Sequence, residues 1–174
     1  MEQKRYPIGR FLFEGMTAAQ QEQWIAEVEQ FPHLIREAAV DLNDEQLNTP
    51  YRHGGWTVRQ TIHHMADASM HCYSRFKWTL TESNPTIKPF HEDGWAGLRD
   101  SVTAPVEHSL AIVDGVHPRW AILLRSMSRV DFERQFYHPE QGIQIKLSAF
   151  LSFVAWHGKH HVAHIRNLRE ERGW

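Results

Sequence analysis

The chain has 174 residues and a formal net charge of −2, with 41% hydrophobic and 23% charged side chains. That length suits one domain, 1–174, with room for a buried core, and the near-neutral balance offers no broad positive field to nucleic acid or an anionic membrane. A lone cysteine, Cys72, no apolar signal core at the N-terminus and no bilayer-length apolar run predict a cytoplasmic protein.

The apolar residues then fall into helical periods. Thr17 and Gln20 fit a capping box that opens the first helix. Trp24, Val28, Phe31, Ile35, Ala38 and Leu42 follow at spacings of three and four, which makes one apolar stripe. Pro32 interrupts the stripe and predicts a bend or a division of the helix. Gly54-Gly55 makes a turn before the second helix, where Thr57 and Gln60 repeat the capping pattern. Its stripe is Val58, Ile62, Met65, Ser69, Cys72 and Phe76, and it stops before Pro85.

Residues 83–104 form a long connection carrying Phe90, His91, Asp93 and Trp95. Connections of that length are uncommon without a function, and the aromatic content predicts that this one packs over something. The third helix is expected from Thr103, with Pro105 in its first turn. Leu110, Val113, His117, Trp120, Leu124 and Met127 form its stripe, and Pro118 predicts a kink near 114–118. A second connection, 131–146, leads to a fourth helix from Leu147 to Arg172, whose late arginines suit the negative end of the helix dipole. The expected fold is all-α: a four-helix bundle with a long connection between helices 2 and 3.

Thirteen histidines are several times the usual share. Four of them, His157, His160, His161 and His164, fall within eight positions of the fourth helix. The seam of that helix reads Phe150, Val154, His157, His161, His164 and Leu168, so three imidazoles stand where a bundle normally places aliphatic side chains; His160 falls off the seam. Each unsatisfied buried imidazole costs roughly 1–3 kcal/mol. His157 and His161, at i and i+4, point at a common position, as in zinc-binding H-x-x-x-H helices. A further ligand can come from His63 or His64 on the second helix, and helical geometry does not choose between them. Three histidines alone leave coordination positions open, the pattern of a catalytic metal site.

The motifs GGWTVRQ-x-x-HHMAD, YSRFK, KPF-x-x-x-GW, RW-x-x-LLR, FYHPE and WH-x-x-HHVAHI, in that order, resemble the YfiT-like branch of the DinB superfamily over nearly the whole chain. The resemblance implies a four-helix bundle with one open divalent-metal site, zinc or nickel, in a homodimeric metal-dependent hydrolase. It implies His64, His157 and His161 as ligands, selecting His64 over His63. Related branches use the metal to activate a low-molecular-weight thiol such as bacillithiol or mycothiol, so thiol S-transfer is the alternative activity, and a non-catalytic metal-binding module a second one. Two features depart from the expected pattern: Pro118 within the third helix and the loop sequence FHEDGW.

In a three-imidazole site the ion keeps its full positive charge, and bound water can reach a pKa near ~7. The same site would hold a thiol as thiolate. The H-E-x-x-H proteases carry a glutamate directly after the first histidine, where this chain has Gly158, so that protease class is excluded. Asp67 and His138 are the candidate catalytic proton carriers, with His91 and Asp93 as further loop candidates. His63, His160 and His164 are candidates to orient the ligands, and His164 is also a competing ligand. Cys72 and Trp56 read as core. The expected partner is a small-molecule substrate.

Overall fold

The computed structural model describes residues 2–174, the side chain of Gln3 excepted. In chain order its elements are α1 (Glu2–Arg5), α2 (Ala18–Ala39), α3 (Asp44–Leu47), α4 (Val58–Thr81), α5 (Glu92–Ala96), α6 (Arg99–Thr103), α7 (Val106–Ser126), α8 (Arg129–Glu133), β1 (Gln135–His138), β2 (Ile143–Lys146) and α9 (Leu147–Arg172). Four long helices, α2, α4, α7 and α9, make the bundle. Each packs on two others: α2 on α7 and α9, and α4 on α7 and α9. The consecutive long helices α2 and α4 therefore face each other across a diagonal, where a simple up-and-down bundle would set them side by side.

The helix starts follow the sequence. At Thr17 and at Thr57 both halves of the capping box form, so each cap satisfies two otherwise free N–H groups. The apolar stripes bury Ile25, Val28, Phe31 and Ile35 of α2 against Ile62, Phe76, Trp120 and Leu151 of the other helices. At the far end Gly173 takes a left-handed conformation, φ 69°, and closes α9.

Pro32 neither divides α2 nor ends it. Proline lacks the N–H that would bond the carbonyl of Val28, one turn earlier. His117 of α7 supplies the missing donor: its Nδ1–H reaches the Val28 carbonyl at 2.6 Å. Its Nε2 then accepts from the Ser69 hydroxyl of α4 at 2.9 Å. One buried imidazole thus ties three helices together at a place where α2 cannot bond itself. Burial pushes the His117 pKa down to about 4, so the ring is neutral at pH 7.

The structure corrects the sequence reading in the connections. The third long helix begins at Val106 with Pro105 as its N-cap, because residues 99–103 form a separate turn of helix that ends at Ala104. The 83–104 connection is not bare loop: it holds α5 and α6. Residues 131–146 contain an antiparallel hairpin pairing Gln135 with Lys146 and His138 with Ile143. Pro85 and Ile87 bond the backbone of Tyr137 from the other side, at 2.9 and 3.1 Å. The two connections are thereby joined into one cover over the bundle. No described helix is long and apolar enough to cross a membrane.

Two predictions test the His117 link. His117→Ala should destabilise the fold by about 2–4 kcal/mol through lost hydrogen bonds and a cavity. Adding Pro32→Ala should recover about 1 kcal/mol, because the restored N–H satisfies Val28; denaturant titration measures both. The folded pKa of His117 lies below the unfolded value of 6.5. Its contribution is therefore complete above pH 6.5 and lost as pH falls toward 4. Stability measured over that window should fall with pH for the wild type, and less steeply for His117→Ala.

Candidate metal centre

His64 projects from α4 and His157 and His161 from α9, two helices that pack side by side. His157 Nε2 lies 3.4 Å from His64 Nε2 and 3.1 Å from His161 Nε2. One donor atom from each ring falls within 4.8 Å of the others. A ring nitrogen offers a single bonding direction, so His157 Nε2 makes at most one good hydrogen bond to its two neighbours. Three nitrogens on one tetrahedral zinc, each at about 2.0–2.1 Å, would stand about 3.3 Å apart. The donor set fits a divalent cation.

Burial also prepares the rings for that role. It pushes His64 down to about 4, and it takes His157 and His161 well below the ordinary range, with the neighbouring imidazoles adding to the effect. Neutral imidazole is the ligand form.

The rings are held by aromatic packing. Trp56 sits 4.6 Å from His64 and lies parallel to His161 at 6.2 Å. Phe153, one turn before His157, stacks on it at 5.3 Å. Phe90 of the 83–104 connection faces His64 at 6.2 Å and stacks on His71 at 4.3 Å. Metal-binding histidines commonly fix their second nitrogen with a carboxylate or carbonyl. Here His161 Nδ1 is buried with no partner among the described residues.

Gly158 belongs to the same geometry. A Cβ there would meet the Phe31 ring at 2.9 Å, so α9 approaches α2 too closely for any side chain at the position where H-E-x-x-H enzymes carry their base.

The other sequence candidates are placed as follows. His63 points away from the triad: its Nδ1 meets Ser109 Oγ at 2.7 Å and its Nε2 meets the Ala104 carbonyl at 3.2 Å. It orients no ligand. His164 stacks on Tyr51 at 4.0 Å, and its Nε2 is turned to the Arg5 carbonyl at 3.3 Å, outside the triad. His160 is buried although it lies off the seam, because Trp156 stacks on it at 4.5 Å and Tyr6 covers it. His91 caps α5, accepting from the Gly94 N–H. Asp93 accepts from Trp56 Nε1 at 3.0 Å, which makes Trp56 a wall of the site and not only core.

Asp67 lies one turn beyond both His63 and His64, and Asp100 is its charged neighbour. It is not among the residues lining the cavity beside the triad. Burial and the charge of Asp100 lift its carboxyl to about 6.

His138 does line that cavity. The space is about 820 Å³ and opens on His64 and His157, with Phe90, Phe153, Arg75 and His138 among its walls. His138 Nδ1 is buried and unpartnered among the described residues, and burial with the nearby Arg75 lowers its pKa. The hairpin puts His138 there, and helical periodicity gives no sign of it.

The site thus joins three converging imidazoles from neighbouring helices to a loop-and-hairpin cover. The chain belongs to the DinB superfamily, whose family profile matches residues 27–165. It is 49% identical over 175 residues to a Bacillus mycoides protein named "Putative metal-dependent hydrolase", covering all of both chains. An Oceanobacillus iheyensis protein of the same designation is 48% identical over 172 residues, 98% of this chain and 99% of the other. Among solved structures, YfiT from Bacillus subtilis superposes with a TM-score of 0.96 at 43% identity and covers 99% of each chain. That protein is described as a probable metal-dependent hydrolase with an unusual four-helix bundle topology. These designations speak of hydrolysis, and none names thiol transfer.

Elemental analysis of untagged protein should find one divalent ion per chain in the wild type and in His63→Ala. His64→Ala, His157→Ala and His161→Ala should each lose at least about tenfold in metal affinity. Equal metal content in all variants would refute the ligand set.

Proposed function

We propose that this protein is a metal-dependent hydrolase of a small molecule, with one divalent ion, zinc or nickel, held by His64, His157 and His161. The observation that carries the reading is the meeting of three neutral imidazole nitrogens from α4 and α9 at 3.1–3.4 Å beside an open cavity. Three imidazoles suit both metals. An ion so bound would supply a Lewis acid and bring the pKa of a coordinated water toward neutrality.

The chain's own residues do the rest. Phe90 and Phe153 give the cavity apolar walls that receive the substrate and displace water. Trp56, Phe90 and Phe153 keep the ligand rings in place. His138, neutral and with Nδ1 unpartnered, holds or passes a proton at that atom as the leaving group departs. A cytoplasmic homodimer belongs to the same reading; the resemblance supports the dimer, and the single buried cysteine supports a reducing compartment.

Metal-loaded protein incubated with a panel of esters and amides tests the activity. Turnover without added thiol, abolished by chelation and restored by zinc or nickel, is the expected result. Conjugation of monochlorobimane that requires a low-molecular-weight thiol, with no thiol-free turnover, would replace hydrolysis by thiol transfer. His138→Gln should lower kcat by about a hundredfold with metal content unchanged.

A further inference from the structure

Two arginines of α4 are buried, and they are treated differently by the fold. Arg59 is saturated: its guanidinium donates to Asn48 Oδ1 at 3.0 Å, the Ala104 carbonyl at 2.8 Å and Asp44 Oδ1 at 2.7 Å. Arg75 is 8% exposed and has no carboxylate partner among the described residues. Its hydrogen bonding is one long contact from Nη2 to the Lys88 carbonyl, 3.5 Å. Its Nε has no partner. The Phe150 ring lies 5.9 Å from the guanidinium, a cation–π contact that supports the charge without neutralising it. A buried guanidinium without an anion is costly, and the fold tolerates it in one place: the wall of the cavity that opens on His64 and His157.

We infer that Arg75 is the seat of a substrate carboxylate, so that the cavity takes acids whose reacting group reaches the histidine triad while the carboxylate rests on the guanidinium. This rests on the hydrolase reading for the reaction, though not for the binding. His64, Ala68, Cys72 and Arg75 all line the cavity and follow one another at steps of four, four and three, on one face of α4. Eleven residues of helix rise about 16 Å. The His64 and Arg75 side chains both lean toward the helix N-terminus, and the longer Arg75 side chain recovers part of that rise. The substrate therefore needs a spacer of several bonds between carboxylate and reacting group.

The charge inventory favours a carboxylate over a phosphate. Lys146, the other cation in the wall, is already paired with Glu133 at 2.6 Å. Glu92 and Glu140 stand exposed at the rim. A single free guanidinium matches a planar monoanion, which it grips through two parallel N–H bonds.

The test compares 4-phenylbutanoate with its uncharged amide by calorimetry, on chelator-stripped and on zinc-loaded protein. Stripped wild type should bind the acid about tenfold or more tightly over the amide. Arg75→Gln should lose that preference, Arg75→Lys should keep part of it, and both should retain metal and a cooperative melt. His157→Ala, depleted of metal, should keep the preference. Equal binding of acid and amide by stripped wild type, a preference surviving in Arg75→Gln, or one that appears only with zinc bound would overturn the inference. Inorganic phosphate displacing the acid at equal concentration would overturn the choice of carboxylate. Should Arg75→Gln fail to fold, the wild-type pair and Arg75→Lys still decide. With zinc loaded, 4-nitrophenyl monoesters of glutaric and adipic acid should outpace 4-nitrophenyl acetate in kcat/KM, and Arg75→Gln should erase the difference. Hydrolysis of none of these esters would count against the hydrolase reading, while the stripped-protein comparison would still rule on Arg75.

Discussion

Imidazole nitrogens that meet at hydrogen-bond distance inside a protein need something to share. His64, His157 and His161 bring three together, and burial keeps all three rings neutral. Charge on the rings cannot relieve the contact, because each added proton would face a desolvated neighbour. A cation accepted by all three satisfies them at once. The rest of the molecule follows from this requirement: two helices must be adjacent and in register, and aromatic rings must stop the imidazoles from turning away.

The bundle meets that requirement by letting α9 come close to α2 and α4. Gly158 removes the side chain that would push α9 off Phe31. His117 repairs the hydrogen bond that Pro32 takes out of α2, and Ser69 locks the repair to α4. These features help set the spacing of the helices that carry the triad. Above them the 83–104 connection and the hairpin form a cover that supplies Phe90 and His138. The candidate site thus takes its imidazoles from rigid helices and its walls from the connections, so variation in the connections can reshape the cavity without moving the triad.

The four helices, their capping boxes and the histidine seam were legible in the sequence, because each depends on residues a few positions apart along one helix. The same local signals could not place Asp67, which stands one turn from both His63 and His64 and is absent from the cavity lining. They also missed the burial of His160, which depends on Trp156 and on Tyr6 from the distant N-terminus. Pro32 was read as a bend or a division, and the division does not occur because the repair comes from another helix.

The sequence by itself determined where the helices run and that imidazoles would be drawn inward on α9; helical period and burial are properties of a single segment. It did not choose His64 over His63 by geometry. The tertiary structure decided that, along with the diagonal placement of α2 and α4, the hairpin that presents His138 and the isolation of Arg75. Each of these is a relation between segments far apart in the chain, set by which helix faces pack together and by which polar groups find partners once they do.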